Sequence, residues 1–415
     1  MKKMIYLNSI KSMVFMLSMC VTLLLGATGC SSEEFGIEVP EMKKEWTKQE
    51  LLEQALSRAA EINRTPLPAK MTTIKDTVTI KCYATEEMII HWGGEGINGE
   101  ITTTIPPNSK LMYTHIYTDN LPSHFIYIEG SMDAYLDLNV DNNRLISLKV
   151  NASHVKSLYC QNNHLDSLDL TEARALRELF ADNNELSSLD VSASYILTDL
   201  RASYNRLKEI KLPKNGIEFY TLMLTGNRLK EIDLTSNRVL YCLLLEDNLI
   251  TDLDLRGNPY LTDIYLNNLP LKTFNGTTVG EGDFSMYKGL ISISLANTPF
   301  TSLSLPQNSS VVIIDISETS ISTLDITTLN NLACLYASYS ELTDLESGSN
   351  KLSKLSDVRI ERTPLEKNKD KIENLTASLP TRKDGNIKPG TLYTYSEYLN
   401  SIYPDILGKN WIINP

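Results

Sequence analysis

The chain has 415 residues, a formal net charge of -12, 42% hydrophobic residues and 22% charged residues. This composition allows a large core and excludes wholesale disorder, and the length predicts two or three structural units. Because so acidic a chain would repel a phosphate backbone, we expect no nucleic-acid partner.

The first residues are typical of an export signal. Lys2, Lys3 and Lys11 form a basic start, and the apolar run 13–25 that follows is short for a membrane span. Residues 1–29 are therefore predicted to be a signal peptide.

The stretch Gly26-Ala27-Thr28-Gly29-Cys30 resembles the bacterial lipobox, in which the cysteine is lipidated and becomes the new N-terminus. This resemblance implies a membrane anchor at Cys30; the alternative is an ordinary cleaved signal with a chance cysteine. The acidic cluster at 31–34 resembles a surface-export tag of some Gram-negative lipoproteins, and a solvated tether over 30–46 is the alternative. We expect an outer membrane lipoprotein at the cell surface.

Residues 47–133 are predicted to form a helix followed by a small β-sandwich-like N-terminal cap. A capping box, Thr47-Lys48-Gln49-Glu50, opens the helix, and Ile90 to Gly96 resembles the I-D-W-G-D-G signature of modules that precede bacterial repeats, with both aspartates replaced. Strand-like stretches occur at 77–83, 87–92, 100–105, 111–117 and 124–130.

The pattern L-x-x-L-x-L-x-x-N-x-L-x-x-L-D-L then recurs eleven times over 134–368, at intervals of 20 to 23 residues with one of 29. It resembles the leucine-rich repeat family in its short bacterial class of about 21 residues. The resemblance implies a repeat solenoid, a right-handed superhelix with a parallel concave β-sheet. Such a unit cannot bury its apolar row alone, so stacked units share a core.

The unit Leu176 to Val191 illustrates the expected register. Leu176, Leu179 and Ala181 should be buried around a short strand, and a second apolar row should return along the convex side. Buried amides are expected to satisfy the backbone where the chain turns inward after each strand, at Asn143, Asn163, Asn184, Asn205, Asn227 and Asn248.

The asparagine pattern stops at the seventh unit, where the position holds Leu269 and later Thr298, Thr319, Ser340 and Thr363. The long interval lies beside this change, and we interpret the insertion at 276–288 as a local irregularity of the solenoid. Plain drift in a redundant array is the alternative.

Catalytic and metal-binding patterns are missing from the sequence, so we expect no enzyme, no cofactor and no metal. One aspartate per unit forms a row for which local turn hydrogen bonding is favoured over calcium binding. The row consists of Asp169, Asp190, Asp233, Asp254 and Asp325.

Large side chains occupy the outward strand position between the two buried residues. From the second to the seventh unit they are Tyr159, Phe180, Arg201, Met223, Leu244 and Tyr265, and polar columns flank them. A strip about 24 Å long with a polar rim is typical of a binding surface. Cross-strand packing between neighbours is the alternative.

Two classes of ligand remain open for this strip. The leucine-rich repeat resemblance implies a protein partner, in adhesion or another protein–protein interaction. A surface glycan is the alternative, because sugars stack on tyrosine and phenylalanine rings. A purely architectural envelope protein is a third possibility.

The segment 369–415 is predicted to be a C-terminal cap. Residues 390–395 look like a strand, Ser396 is expected to open a short helix, and Trp411 starts a last apolar strand and should be part of the core.

Overall fold

The computed structural model describes residues 67–93, 101–118, 121–214, 218–307, 310–347, 352–382, 388–396, 398 and 406–414. The predicted signal peptide, Cys30, the tether and the first helix lie outside the described residues, as does most of the helix expected after Ser396. The domain boundaries therefore stay a prediction.

The N-terminal part is built from antiparallel strands in two sheets. A five-stranded sheet has the order β4-β3-β6-β1-β8, and β2 pairs with β5 and β7 in a second sheet. The strands are β1 (Ala69–Thr73), β2 (Thr77–Ala84), β3 (Met88–His91), β4 (Thr102–Ile105), β5 (Leu111–Ile116), β6 (His124–Gly130), β7 (Leu136–Asn139) and β8 (Leu145–Val150).

The first repeat unit is shared between these two sheets. Its strand β7 pairs parallel with the next unit, whereas its returning strand β8 pairs antiparallel with β1. Strands β2 and β5 thereby extend and cover the first edge of the solenoid sheet. At Gly93, φ is +66° and a Cβ atom would lie 2.2 Å from the carbonyl oxygen of Phe125, so only glycine fits there.

Each later unit adds one short parallel strand, and the resulting sheet has 15 strands. This confirms the expected solenoid. The unit strands are β9 (Val155–Tyr159), β10 (Glu178–Phe180), β12 (Asp199–Arg201), β14 (Thr221–Met223), β15 (Cys242–Leu244), β17 (Asp263–Tyr265), β21 (Ser292–Ser294), β23 (Ile313–Asp315), β25 (Cys334–Tyr336) and β27 (Asp357–Arg359).

The returning limbs form short strands rather than helices. They are β11 (Ser188–Asp190), β13 (Glu209–Lys211), β16 (Asp252–Leu253), β18 (Thr273–Phe274), β19 (Thr277–Thr278), β20 (Glu281–Asp283), β22 (Ser302–Ser304), β24 (Thr323–Asp325) and β26 (Asp344–Glu346). The shared core lies between these limbs and the long sheet: in the unit at 176–191, Leu176, Leu179 and Ala181 are 0% exposed and Leu189 is 2% exposed.

The insertion at 276–288 is a hairpin on the returning side. Asn275 and Gly276 both have positive φ and connect β18 to the antiparallel β19. The buried rings of Phe274, Phe284 and Phe300 pack on one another, with centroids 5.1 to 6.0 Å apart. Because β17 still pairs directly with β21, the insertion leaves the long sheet unbroken.

The C-terminal end is closed by two more parallel strands, β28 (Gly390–Tyr393) and β29 (Trp411–Asn414). A 3-10 helix (Pro364–Lys367) and the helix α1 (Lys369–Ser378) precede them. Trp411 is 1% exposed and its indole N–H donates to the carbonyl of Pro380 at 2.9 Å, which confirms the expectation of a core residue.

Candidate ligand-binding face

The predicted column lies in register on one face of the long sheet. Neighbouring strands place its members directly opposite one another, and each is partly buried. We call this set the central strip: Tyr159, Phe180, Arg201, Met223, Leu244 and Tyr265.

Side chains at the start of the central strip also pack on one another. The rings of Tyr159 and Phe180 meet edge to face with centroids 4.9 Å apart, and the Arg201 guanidinium lies 4.2 Å from the Phe180 centroid. Such contacts stabilise neighbouring strands. Cross-strand packing is thus present here whether or not the strip also binds a ligand.

The two phenol groups of the strip are held by the flanking column. The Tyr159 hydroxyl donates to the Glu178 carboxylate, and the Tyr265 hydroxyl lies 2.7 Å from Ser292 Oγ. These bonds fix the rings on rigid strands, so a partner would meet preorganised side chains.

Two columns flank the strip from the second to the seventh unit: Ser157, Glu178, Asp199, Thr221, Cys242 and Asp263 on one side, and Gln161, Asp182, Ser203, Thr225, Glu246 and Asn267 on the other. Five of these twelve residues are acidic, and Asp263 and Glu246 are buried. Burial raises the pKa of Asp182 and of Asp263 to about 6, and it raises the pKa of Glu246 to about 7. Arg201 is the one basic residue in the strip and its two flanking columns from the second to the seventh unit.

The Glu246 carboxylate is the centre of a hydrogen-bonded chain across four units. Thr225 Oγ1 donates to it at 3.0 Å and Asn267 Nδ2 at 2.9 Å, while Ser294 Oγ donates to Asn267 Oδ1 at 2.8 Å. These bonds favour the charged carboxylate, but desolvation outweighs them, since the pKa is raised overall. One flank of the strip is therefore a buried polar network.

The six predicted ladder asparagines are buried. The Asn143 amide bonds to the backbone of Thr79 in β2, and the other five bridge consecutive units. Asn205 is representative: its Nδ2 donates to the carbonyls of Ala181 at 2.9 Å and Ala202 at 3.2 Å, and its Oδ1 accepts from the Leu186 N–H at 3.0 Å. One amide thus satisfies backbone groups of its own unit and of the preceding one.

The residues that replace asparagine after the sixth unit make fewer bonds. The hydroxyls of Thr319, Ser340 and Thr363 each donate to the carbonyl three residues earlier, at 2.6 to 2.7 Å. These hydroxyl bonds therefore stay within one unit, and Leu269 is a buried hydrocarbon. The second half of the solenoid consequently relies more on its apolar core.

The aspartate row caps local turns, as expected. Asp190, for example, accepts from the backbone N–H of Ser192 at 3.0 Å and from its hydroxyl at 2.6 Å. These bonds lower the pKa of Asp169, Asp190, Asp233 and Asp254. Among the described residues no group of three or more histidine, cysteine, aspartate or glutamate side chains could hold a metal ion.

A further column was missed in the sequence: the residue directly before each ladder position has positive φ. It is usually asparagine, aspartate or glycine, which tolerate that conformation, but Tyr204, Glu318, Tyr339 and Arg362 also adopt it. The recurring Asn-Asn pairs were the available signal. At Gly226 a Cβ atom would lie 2.7 Å from the Tyr204 ring, so this glycine makes room for its neighbour.

No helix in the described part of the chain is long and apolar enough to cross a membrane. None of the described cysteines, Cys82, Cys160, Cys242 and Cys334, forms a disulfide.

No family model and no curated protein matches the chain. Among solved structures, the chain is similar to the functional domain of InlJ from Listeria monocytogenes (22% identity, 61% of this chain and 63% of that chain, TM-score 0.42). It is also similar to the internalin InlF from the same species (18%, 62% and 80%, 0.44) and to YopM from Yersinia enterocolitica (19%, 62% and 65%, 0.36). The chain spans less than two thirds of the InlJ domain. The repeat, its parallel strands and its buried asparagines make the fold a leucine-rich repeat solenoid.

Proposed function

We propose that this chain is a lipid-anchored, non-catalytic protein of the cell envelope whose concave face binds another protein, in adhesion or a related interaction. The observation that carries the proposal is the central strip itself. Six large side chains lie partly exposed, in register, on rigid strands, and tyrosine, phenylalanine, methionine and arginine are enriched at protein interfaces.

The rim favours a partner with basic groups around an apolar centre. Glu178 and Asp199 lie on one side of the strip and Asp182 lies on the other, and all three are partly exposed. Lysine or arginine side chains of a partner would pair with these carboxylates, while its apolar residues would cover Met223 and Leu244.

A glycan is less well suited to the strip. The Arg201 guanidinium covers one face of the Phe180 ring, and the Tyr159 ring packs against Phe180. A sugar ring would have to displace these contacts before it could stack.

The proposal is tested with a triple variant, Tyr159→Ala, Phe180→Ala and Tyr265→Ala. In affinity capture from host and neighbouring-cell extracts, quantified by mass spectrometry, a specific partner should be depleted at least ten-fold relative to wild type. Each central side chain is expected to contribute about 1–3 kcal/mol to binding. We also expect a modest loss of Tm from the lost Tyr159–Phe180 packing.

Leu249→Ala is the matched control, because this leucine is 49% exposed and lies outside the strip. Equal capture by the triple variant and wild type would contradict the proposal. A variant that fails to fold would show instead that the aromatic residues serve the core.

The anchor at Cys30 and an outward orientation are part of the proposal. They are supported by the resemblance of the N-terminus to exported lipoproteins. Two acyl chains give stable attachment where one does not. Mass spectrometry of the mature N-terminus should show acylated Cys30, and an unmodified terminus at another residue would refute the anchor.

A further inference from the structure

A second concave site lies at the C-terminal end of the solenoid, away from the central strip. It is a cavity of about 390 Å³ formed where the last strands end, and Tyr339, Glu341, Arg362, Lys367 and Tyr395 contribute most of its polar and aromatic surface. Its volume lies in the range of small-ligand sites.

Two exposed tyrosine rings stand on either side of an arginine. Tyr339 is 62% exposed and Tyr395 is 51% exposed. They follow β25 and β28, which are separated by β27, so their backbones are about 10 Å apart. Arg362 follows the intervening strand β27, and its guanidinium lies 5.0 Å from the centroid of the Tyr395 ring.

A buried carboxylate fixes this arrangement from below. Glu366 is 6% exposed, and its carboxylate accepts from the backbone N–H of Arg362 at 2.8 Å, from Thr394 Oγ1 at 2.5 Å and from the backbone N–H of Tyr395. Because Glu366 is committed to these bonds, it positions the site and is not available to a ligand. Arg362 and Lys367 then outnumber the remaining acidic group, Glu341.

Two side chains of this site belong to residues with positive φ, a conformation that Tyr204 and Glu318 share at the same position of other units. Tyr339 and Arg362 have φ of +59° and +62°. Seven other units hold asparagine, aspartate or glycine at the same position, where that conformation costs less.

We propose that this cavity binds an acidic saccharide. The exposed Tyr339 ring offers a face for the C–H surface of a sugar ring, whereas one face of the Tyr395 ring is already covered by Arg362. Arg362 and Lys367 provide charge-assisted hydrogen bonds for a carboxylate. The cavity is also lined by Pro364 and by three buried hydroxyls, those of Ser340, Thr363 and Ser396, which donate to backbone carbonyls. The exposed tyrosine, arginine and lysine side chains would therefore make the contacts with a ligand.

The test measures binding of trigalacturonate, a glucuronate-containing disaccharide and sialyllactose to the full chain by isothermal titration calorimetry. Neutral lactose and an acidic tripeptide serve as comparison ligands. At least one acidic saccharide should bind, at least ten-fold more tightly than lactose and the tripeptide. Absence of binding at millimolar concentration, or equal binding of either comparison ligand, would overturn the proposal.

Two variants separate ligand binding from folding. Arg362→Asn and Tyr339→Asn each introduce asparagine, a residue that tolerates positive φ, so Tm should be unchanged or raised. The affinity for the acidic saccharide should fall at least ten-fold. Tyr204→Asn is the matched control, since it makes the same change at the same position of a distant unit and should leave affinity unchanged. Retained affinity in Arg362→Asn, or loss of affinity in Tyr204→Asn, would contradict the assignment. These results do not depend on the central strip.

Discussion

At the residue scale, the ladder position shows how one side chain can connect two units. The amide of Asn205 bonds backbone groups of two consecutive units, whereas the hydroxyl of Thr319 donates to a carbonyl of its own unit. The same position in the repeat therefore stabilises the contact between units where it holds asparagine, and only the local turn where it holds threonine. Only an amide has both a donor and an acceptor long enough to span the turn.

We predict that Asn205→Ala destabilises the protein more than Thr319→Ala. The first variant leaves several buried backbone groups without partners and should lower the free energy of unfolding by about 1–3 kcal/mol, while the second should cost about 1 kcal/mol. Urea titration of both variants measures the difference. Equal effects would mean that the bond to the preceding unit contributes nothing to stability.

At the element scale, the buried acids make the parallel sheet sensitive to pH. Burial raises the pKa of Glu246 from 4.5 to about 7, despite hydrogen bonds from Thr225 and Asn267, and the nearby carboxylates of Asp247 and Asp315 raise it further. Between these values the folded state binds more protons than the unfolded state. Stability must therefore fall as pH rises from about 4.5 to 7, and the full penalty remains above pH 7.

We predict that Glu246→Gln is more stable than wild type at pH 8, by up to about 3 kcal/mol, and nearly equal to it at pH 4. Thermal unfolding across this range measures the effect. Because the pKa values of Asp182 and Asp263 are also raised, the stability of the variant should still fall with rising pH, but less steeply than that of wild type. The turn-capping aspartates have lowered pKa values, so Asp254→Asn should leave the dependence of stability on pH between 4 and 8 unchanged. A wild type that is more stable at pH 8 than at pH 5 would contradict the prediction.

At the scale of the whole molecule, the sequence predicted the solenoid well because the same pattern of buried residues recurs in eleven units. Alternation along one strand placed Phe180 and Tyr265 on the open face, and stacking placed them in one column. The hairpin at Asn275-Gly276 was overlooked although this pair is a strong turn signal. Helix α1 was also missed, since Ile372 and Leu375 alone are apolar residues on its buried face.

Features that depend on several units together were beyond the sequence. The raised pKa of Glu246 arises from burial between neighbouring strands, and no single unit contains that information. The cavity beside Tyr339 and Arg362 requires the C-terminal strands, whose position follows from the whole stack. Burial of Asp263, only 2% exposed, is likewise set by neighbours in space.

The central claim, that the central strip is a protein-binding surface, is tested most directly by photo-cross-linking. A photoreactive phenylalanine analogue is placed at Met223, in the middle of the strip, or at Leu249, outside it, and each protein is irradiated in the extract that contains the partner. Our account predicts a discrete protein adduct from position 223 and none from position 249. Absence of an adduct at position 223, or equal adducts from both positions, would contradict it.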